Sequence, residues 1–206
     1  MAIISNGTTI ADAGSFASGL VNADQVLIKT LTASSSSTLS FLNGSDSVVF
    51  DGTYPIYVFR FIDIHPATDG ALFSFQADTG TNTSYNQTIT STFFTSIGSE
   101  DGSEGSVSYQ AGDDQAQGSA FQRLMDIGNA NDECGVGELT IFDPSNTTFV
   151  KHFISRVQMY ENGNRTMDKY IGGYFNTTTA LTRVQFKFSS GNIDSGLIKL
   201  YGIKDS

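Results

Sequence analysis

Five carboxylates crowd into one stretch of the chain, Glu100, Asp101 and Glu104 in the run Glu100-Asp101-Gly102-Ser103-Glu104 and then Asp113 and Asp114. Calcium takes roughly six to eight hard oxygens, and a Gly/Ser loop of this kind can supply them. The ligand spacing of an EF-hand is missing, so the simpler expectation is a solvated acidic loop. Paired carboxylates could also act as the acid and base of a glycosidase, which must lie roughly 5–10 Å apart across a cleft. Asp63, Asp69 and Asp143 are available for such a pair, yet each is equally explained by a strand end or a turn. Cys134 is the single cysteine, which rules out an intramolecular disulfide and fits synthesis in a reducing cytoplasm. As a nucleophile it would need a base. The two histidines, His65 and His152, sit in or beside apparent strands, where structural roles are expected, and Cys134 in Asn131-Asp132-Glu133-Cys134-Gly135 reads as a small half-buried thiol. Gly172-Gly173 lacks the Lys-Ser/Thr and the following helix of a phosphate loop; a bulge or a close backbone approach within a strand is expected there. The residues thus lead to no catalytic, cofactor-binding or metal-binding assignment, and to the expectation of a protein without enzymatic activity or cofactor.

Composition narrows the class further. With 21 acidic and 11 basic side chains in 206 residues, the chain carries a formal charge of −10. It has no basic stripe to displace phosphate counterions, so no nucleic-acid partner is expected. No window approaches the roughly 18 apolar residues of a membrane-spanning helix, and Met1-Ala2-Ile3-Ile4-Ser5-Asn6-Gly7 lacks the basic and apolar regions of a secretory signal. Seven Asn-x-Ser/Thr sequons, at Asn6, Asn43, Asn82, Asn86, Asn146, Asn164 and Asn176, then reflect a composition rich in Asn and Thr rather than glycan sites. Charged residues make up only 16% of the chain, against roughly a quarter in ordinary soluble domains. Ser, Thr, Asn and Gly take their place, and a surface of short neutral hydrogen-bonding side chains suits protein contacts.

The elements that would position these residues are strands. Candidates fall at 26–32, 38–43, 47–50, 54–64, 71–77, 85–97, 105–110, 136–142, 147–160, 169–175, 181–189 and 196–203, separated by Gly, Asn and Asp clusters, the spacing of a β-sandwich. Val184, Phe186 and Phe188 alternate with Arg183, Gln185 and Lys187, so the first three face a core. Ser189-Ser190-Gly191-Asn192 supplies turn chemistry, and a closing hairpin with the run at Leu197 is expected. Tyr54 to Ile64 is apolar on both faces, as in a central strand covered from both sides, with Pro55 at its beginning. His65-Pro66-Ala67-Thr68-Asp69-Gly70 turns the chain into Ala71–Gln76 to form a second pair. Residues 117–127 fit helical and strand spacing almost equally. No internal repeat is apparent. Residues 1–25, rich in Gly, Ala, Ser, Asn and Asp, read as an N-terminal arm, and 26–206 as one antiparallel, all-β sandwich domain.

Four stretches together carry a family likeness: Ile3-Ile4-Ser5-Asn6-Gly7-Thr8-Thr9-Ile10; Tyr57-Val58-Phe59-Arg60-Phe61 with His65-Pro66-Ala67-Thr68-Asp69-Gly70; Asn146-Thr147-Thr148-Phe149-Val150-Lys151-His152-Phe153-Ile154-Ser155; and the last two strands. Spread over nearly the whole chain, they resemble small virion structural proteins of marine tailed bacteriophages. The resemblance implies a jelly-roll or concanavalin-like sandwich in the virion, as a capsid decoration protein or a tail or fibre component, made in the host cytoplasm. It implies other virion proteins and further copies of the chain as partners, with the arm ordering against a neighbour. It carries no catalytic motif. The alternative is a carbohydrate-binding module at a fibre tip that meets a host surface glycan, for which the absence of Trp leaves only Tyr and Phe as stacking platforms.

Overall fold

The computed structural model describes residues 3–5, 8–12, 15–16 and 24–205. Among them the protein is all-β and antiparallel, without a helix. Strands β1 (Ile3–Ser5), β2 (Thr8–Asp12) and β3 (Ser15–Phe16) pair with one another in a small sheet of their own. The strands within the arm were not apparent from its composition, although Asn6-Gly7 between β1 and β2 is a strong hairpin signal in sequence. The remainder of the expected arm, through residue 23, lies outside the described residues.

The sandwich proper is built from β4 (Gln25–Thr32), β5 (Leu39–Leu42), β6 (Ile56–Pro66), β7 (Ala71–Thr79), β8 (Ile89–Ser99), β9 (Gly105–Tyr109), β10 (Ala116–Gly118), β11 (Gln122–Ile127), β12 (Gly135–Phe142), β13 (Lys151–Glu161), β14 (Arg165–Phe175), β15 (Leu181–Phe188) and β16 (Ile193–Ile203). Nine of them form one sheet in the order β10-β8-β14-β13-β12-β6-β16-β4, with β9 also paired to β8. The facing sheet has the order β11-β7-β15-β5.

Two expected pairings are corrected by this topology. β15 and β16 do not form a hairpin: β15 pairs with β5 and β7, whereas β16 pairs with β4 and β6 in the other sheet. β6 and β7 likewise lie in opposite sheets. Both connections are arches over the core. Gly70, at φ 62°, makes the same left-handed reversal that a hairpin would need. The ambiguous stretch 117–127 resolves as the end of β10 and the whole of β11, with no helix. Residues 47–50 are not a strand, but Val48 and Phe50 are buried as loop-borne core residues.

Side-chain facing follows the alternation. Val184, Phe186 and Phe188 are buried, and Phe186 meets the rings of Phe41, Phe59, Phe61, Phe73 and Phe75 at centroid distances of 5.2–6.4 Å. Central strand β6 buries Tyr57, Phe59, Phe61 and Ile64 inward. Its other face is mixed, with Val58 buried and Arg60 exposed, so the strand is covered fully on one side only.

Tyr57 is sealed from solvent, and its hydroxyl finds no hydrogen-bond partner among the described residues. Burial pushes its pKa from 10.0 up to about 12. The folded protein then holds this proton while the unfolded chain releases it, so stability should fall as the pH rises from about 10 to about 12. Tyr57→Phe should remove this part of the alkaline loss. At pH 7 it should be neutral or stabilising by about 1 kcal/mol, since it deletes an unpaired buried hydroxyl. Urea midpoints at pH 7 and in the alkaline range check both; a Tyr57→Phe protein weakened at pH 7 would show that the hydroxyl is paired.

Candidate functional surface: the open face of the nine-stranded sheet

The sequence candidates are divided between opposite ends of the sandwich. Cys134 lies next to β12, its carbonyl accepting a hydrogen bond from the Tyr160 amide, and burial pushes its thiol pKa up. His152 lies eight residues along β13 from Tyr160, about 26 Å away at the strand rise. His65 is half-buried near the Cys134 end, where Nε2 meets the Ala130 carbonyl at 3.2 Å and Nδ1 lies 3.7 Å from Asp194. Asp69 sits at that same end, accepting from the Asn129 amide. Asp143 is held at the opposite end by the Pro55 carbonyl, about 26 Å along β6 from Asp63. Asp143 is thus too far from Asp63 to form a glycosidase pair with it.

The acidic loop is divided among separate partners. Asp101 accepts hydrogen bonds from the Ser99 hydroxyl and the Ser103 amide at 2.8 and 2.9 Å, and hydrogen bonds from Ser103 and then Ser99 lower its pKa to about 2. Glu104 pairs with Arg165 at 3.3 Å, Asp113 with Arg123, and Asp114 accepts from the Tyr109 hydroxyl. Among the described residues no group of three or more metal-ligating side chains converges. At Gly173 an added Cβ would come within 2.6 Å of the Thr90 carbonyl and 2.7 Å of the Phe153 ring, so this glycine marks a close approach in β14. Gly172, facing the other way, would take a Cβ with only the Thr92 hydroxyl in ordinary contact at 3.8 Å.

What does converge is the outer face of the nine-stranded sheet. On β8, β13 and β14 the inward positions are buried, and Thr92, Phe94, His152, Ile154, Arg156 and Tyr170 point outward, exposed. Register places Tyr109 of β9 opposite Phe94, Phe94 opposite Tyr170, and Tyr170 opposite Arg156. Phe94 and Tyr109 meet edge to face at 5.3 Å. The Arg156 guanidinium lies over the Tyr170 ring at 5.1 Å and donates to Asp168 at 2.8 Å, and Asp168 also accepts from the Tyr170 hydroxyl at 2.9 Å. The missing side chain at Gly172 leaves a shallow trough of about 450 Å³ floored between Phe94, Ile154 and Tyr170. Val107, 76% exposed, extends the apolar strip along β9.

At one edge this face runs into a second hollow of about 490 Å³, lined by Phe142, Asp143, Asn146, Thr148, Phe149, Val150, His152 and Thr178. Asp143 takes the left-handed conformation, φ 44°, and Asn146 braces the loop: its amide donates to Asp143 at 2.7 Å while its carbonyl oxygen accepts from the Thr148 and Phe149 amides. Beneath it Lys151 is wholly buried, its ammonium donating to the carbonyls of Phe149 and Thr177 at 2.7 and 3.4 Å. Burial lowers the Lys151 pKa, partly offset by the Asp143 charge.

Neither surface was named from the sequence. One signal for the strip was present: adjacent Phe93 and Phe94 in a strand must send one ring to each face. Comparison with protein-family models, with curated proteins and with solved structures returns no match.

Proposed function

We propose that this protein is a non-enzymatic structural component of a tailed-phage virion, a capsid decoration or a tail or fibre protein, and that it acts by seating the outer face of its nine-stranded sheet on another virion protein. The observation that carries this reading is the unbroken exposed strip Val107, Tyr109, Phe94, Tyr170 and Ile154. Contiguous apolar area of this kind marks contact surfaces, whereas single exposed apolar residues do not. Tyr and Arg at its centre are the residue types that dominate contact energetics, and Arg156 is already neutralised by Asp168, so docking need not strand a charge. The sparse surface charge and the likeness to marine phage virion proteins point the same way. Incorporation into particles of a variant carrying Phe94→Ser and Tyr170→Ser tests the reading.

A second reading, a carbohydrate-recognition module at a fibre tip, is favoured by one observation: Phe149 is held out in solvent at the mouth of a polar-rimmed hollow.

A further inference from the structure

We infer that the hollow formed by the 143–150 loop, His152 and Thr178 is a binding site for a neutral hexose or the end of a neutral glycan, with Phe149 as the stacking platform. The inference rests on the carbohydrate reading and gives it a place on the molecule; it does not depend on whether the adjoining sheet face docks in a particle.

Phe149 is 68% exposed, yet its backbone is fixed. Its amide is tied to Asn146, and its carbonyl is tied to an ammonium that reaches up from the core. A large apolar side chain held in solvent on a backbone tied at both its amide and its carbonyl gains nothing for folding, and a fixed platform reduces the ordering cost that a ligand would otherwise meet. The rim then selects the ligand. Asp143, His152, Thr148 and Thr178 supply acceptors and donors around an apolar floor, matching a molecule that has hydroxyl groups on its edges and a C–H face.

Other ligand classes fit less well. Lys151 sits beneath the hollow with its ammonium bonded to two main-chain carbonyls, and the chain is strongly acidic, so an anionic ligand meets no free cation among the lining residues. A peptide that adds as a further strand would need an unpaired strand edge. β13 is bonded on both sides, to β12 and β14, and offers none. The volume, about 490 Å³, lies within the usual range for small-ligand sites, roughly 300–1,000 Å³.

The test uses the full chain and the methyl glycosides of glucose, galactose, mannose and N-acetylglucosamine in saturation-transfer NMR, followed by a printed array of neutral glycans. At least one probe should bind the wild type, with transfer concentrated on ring C–H protons. Phe149→Ala should lower affinity tenfold or more at an unchanged melting temperature, and Phe149→Tyr should retain binding. If a probe binds but Phe149→Ala binds it equally well, the site is wrong and the carbohydrate reading stands elsewhere on the molecule. Absence of binding to every probe and to the array would overturn both.

Discussion

Phe186→Ala should cost about 3–5 kcal/mol, the loss expected for emptying a ring-sized space in a close-packed core. Phe186 lies among five phenylalanine rings drawn from β5, β6 and β7, so no single neighbour can move to fill the void without leaving its own partners. Since domains of this kind are stable by only about 5–15 kcal/mol, the variant should be close to unfolding at physiological temperature. Lys187→Ala, one residue on, should cost less than about 1 kcal/mol. Its ammonium lies over the Phe121 ring at 4.2 Å, a half-buried contact of modest strength. Denaturant melts of the two variants compare them directly, and equal losses would contradict the inward register of β15.

Asp126→Ala should be the second most damaging change, at about 3 kcal/mol. Lys169 is a buried lysine on β14, and its ammonium meets Asp126 of β11 at 2.9 Å, a pair that bridges the two sheets. Removing the carboxylate leaves a buried ammonium without its ion-pair partner, with the Phe93 ring at 5.4 Å and with Thr95, Gln110 and Asp113 lining the same small hollow. Lys169→Met leaves Asp126 as the unpaired member, but that side chain is 31% exposed and can be solvated, so the loss should be smaller. Adding Lys169→Met to Asp126→Ala should therefore recover stability. A urea-melt cycle in which the double variant is no more stable than Asp126→Ala would show that the pair is not coupled.

The strands themselves were legible, because alternation is a local property: β4, β5, β12 and β15 begin and end within a residue or two of where the pattern puts them. Pairing was not legible. Turn residues such as His65–Gly70 and Ser189–Asn192 report that the chain reverses, but an arch between sheets and a hairpin within one sheet use the same turn chemistry. Which of the two forms is decided by the packing of distant rings, with Phe61 of β6 against Phe73 of β7 across the core. The buried lysines were hidden for a related reason. Lys151 and Lys169 occupy inward positions on β13 and β14, and only the folded chain brings them their carbonyl and carboxylate partners. The candidate surface was half legible: Phe93-Phe94 and Tyr170 each announce an outward ring, but strands distant in sequence have to be placed side by side before those rings become one strip.

Incorporation into phage particles of the Phe94→Ser, Tyr170→Ser protein, measured as copies per particle against the wild type, tests the proposed role most directly. Each substitution removes a half-exposed aromatic ring whose remaining burial on docking contributes about 1 kcal/mol. The pair should therefore lower occupancy at limiting concentration by about ten- to thirtyfold, while the protein stays folded with a melting temperature lowered by only a few degrees, because the rings make cross-strand contacts on the surface but none in the core. A folded variant that enters particles at the wild-type level would contradict the assignment of this face as the contact surface.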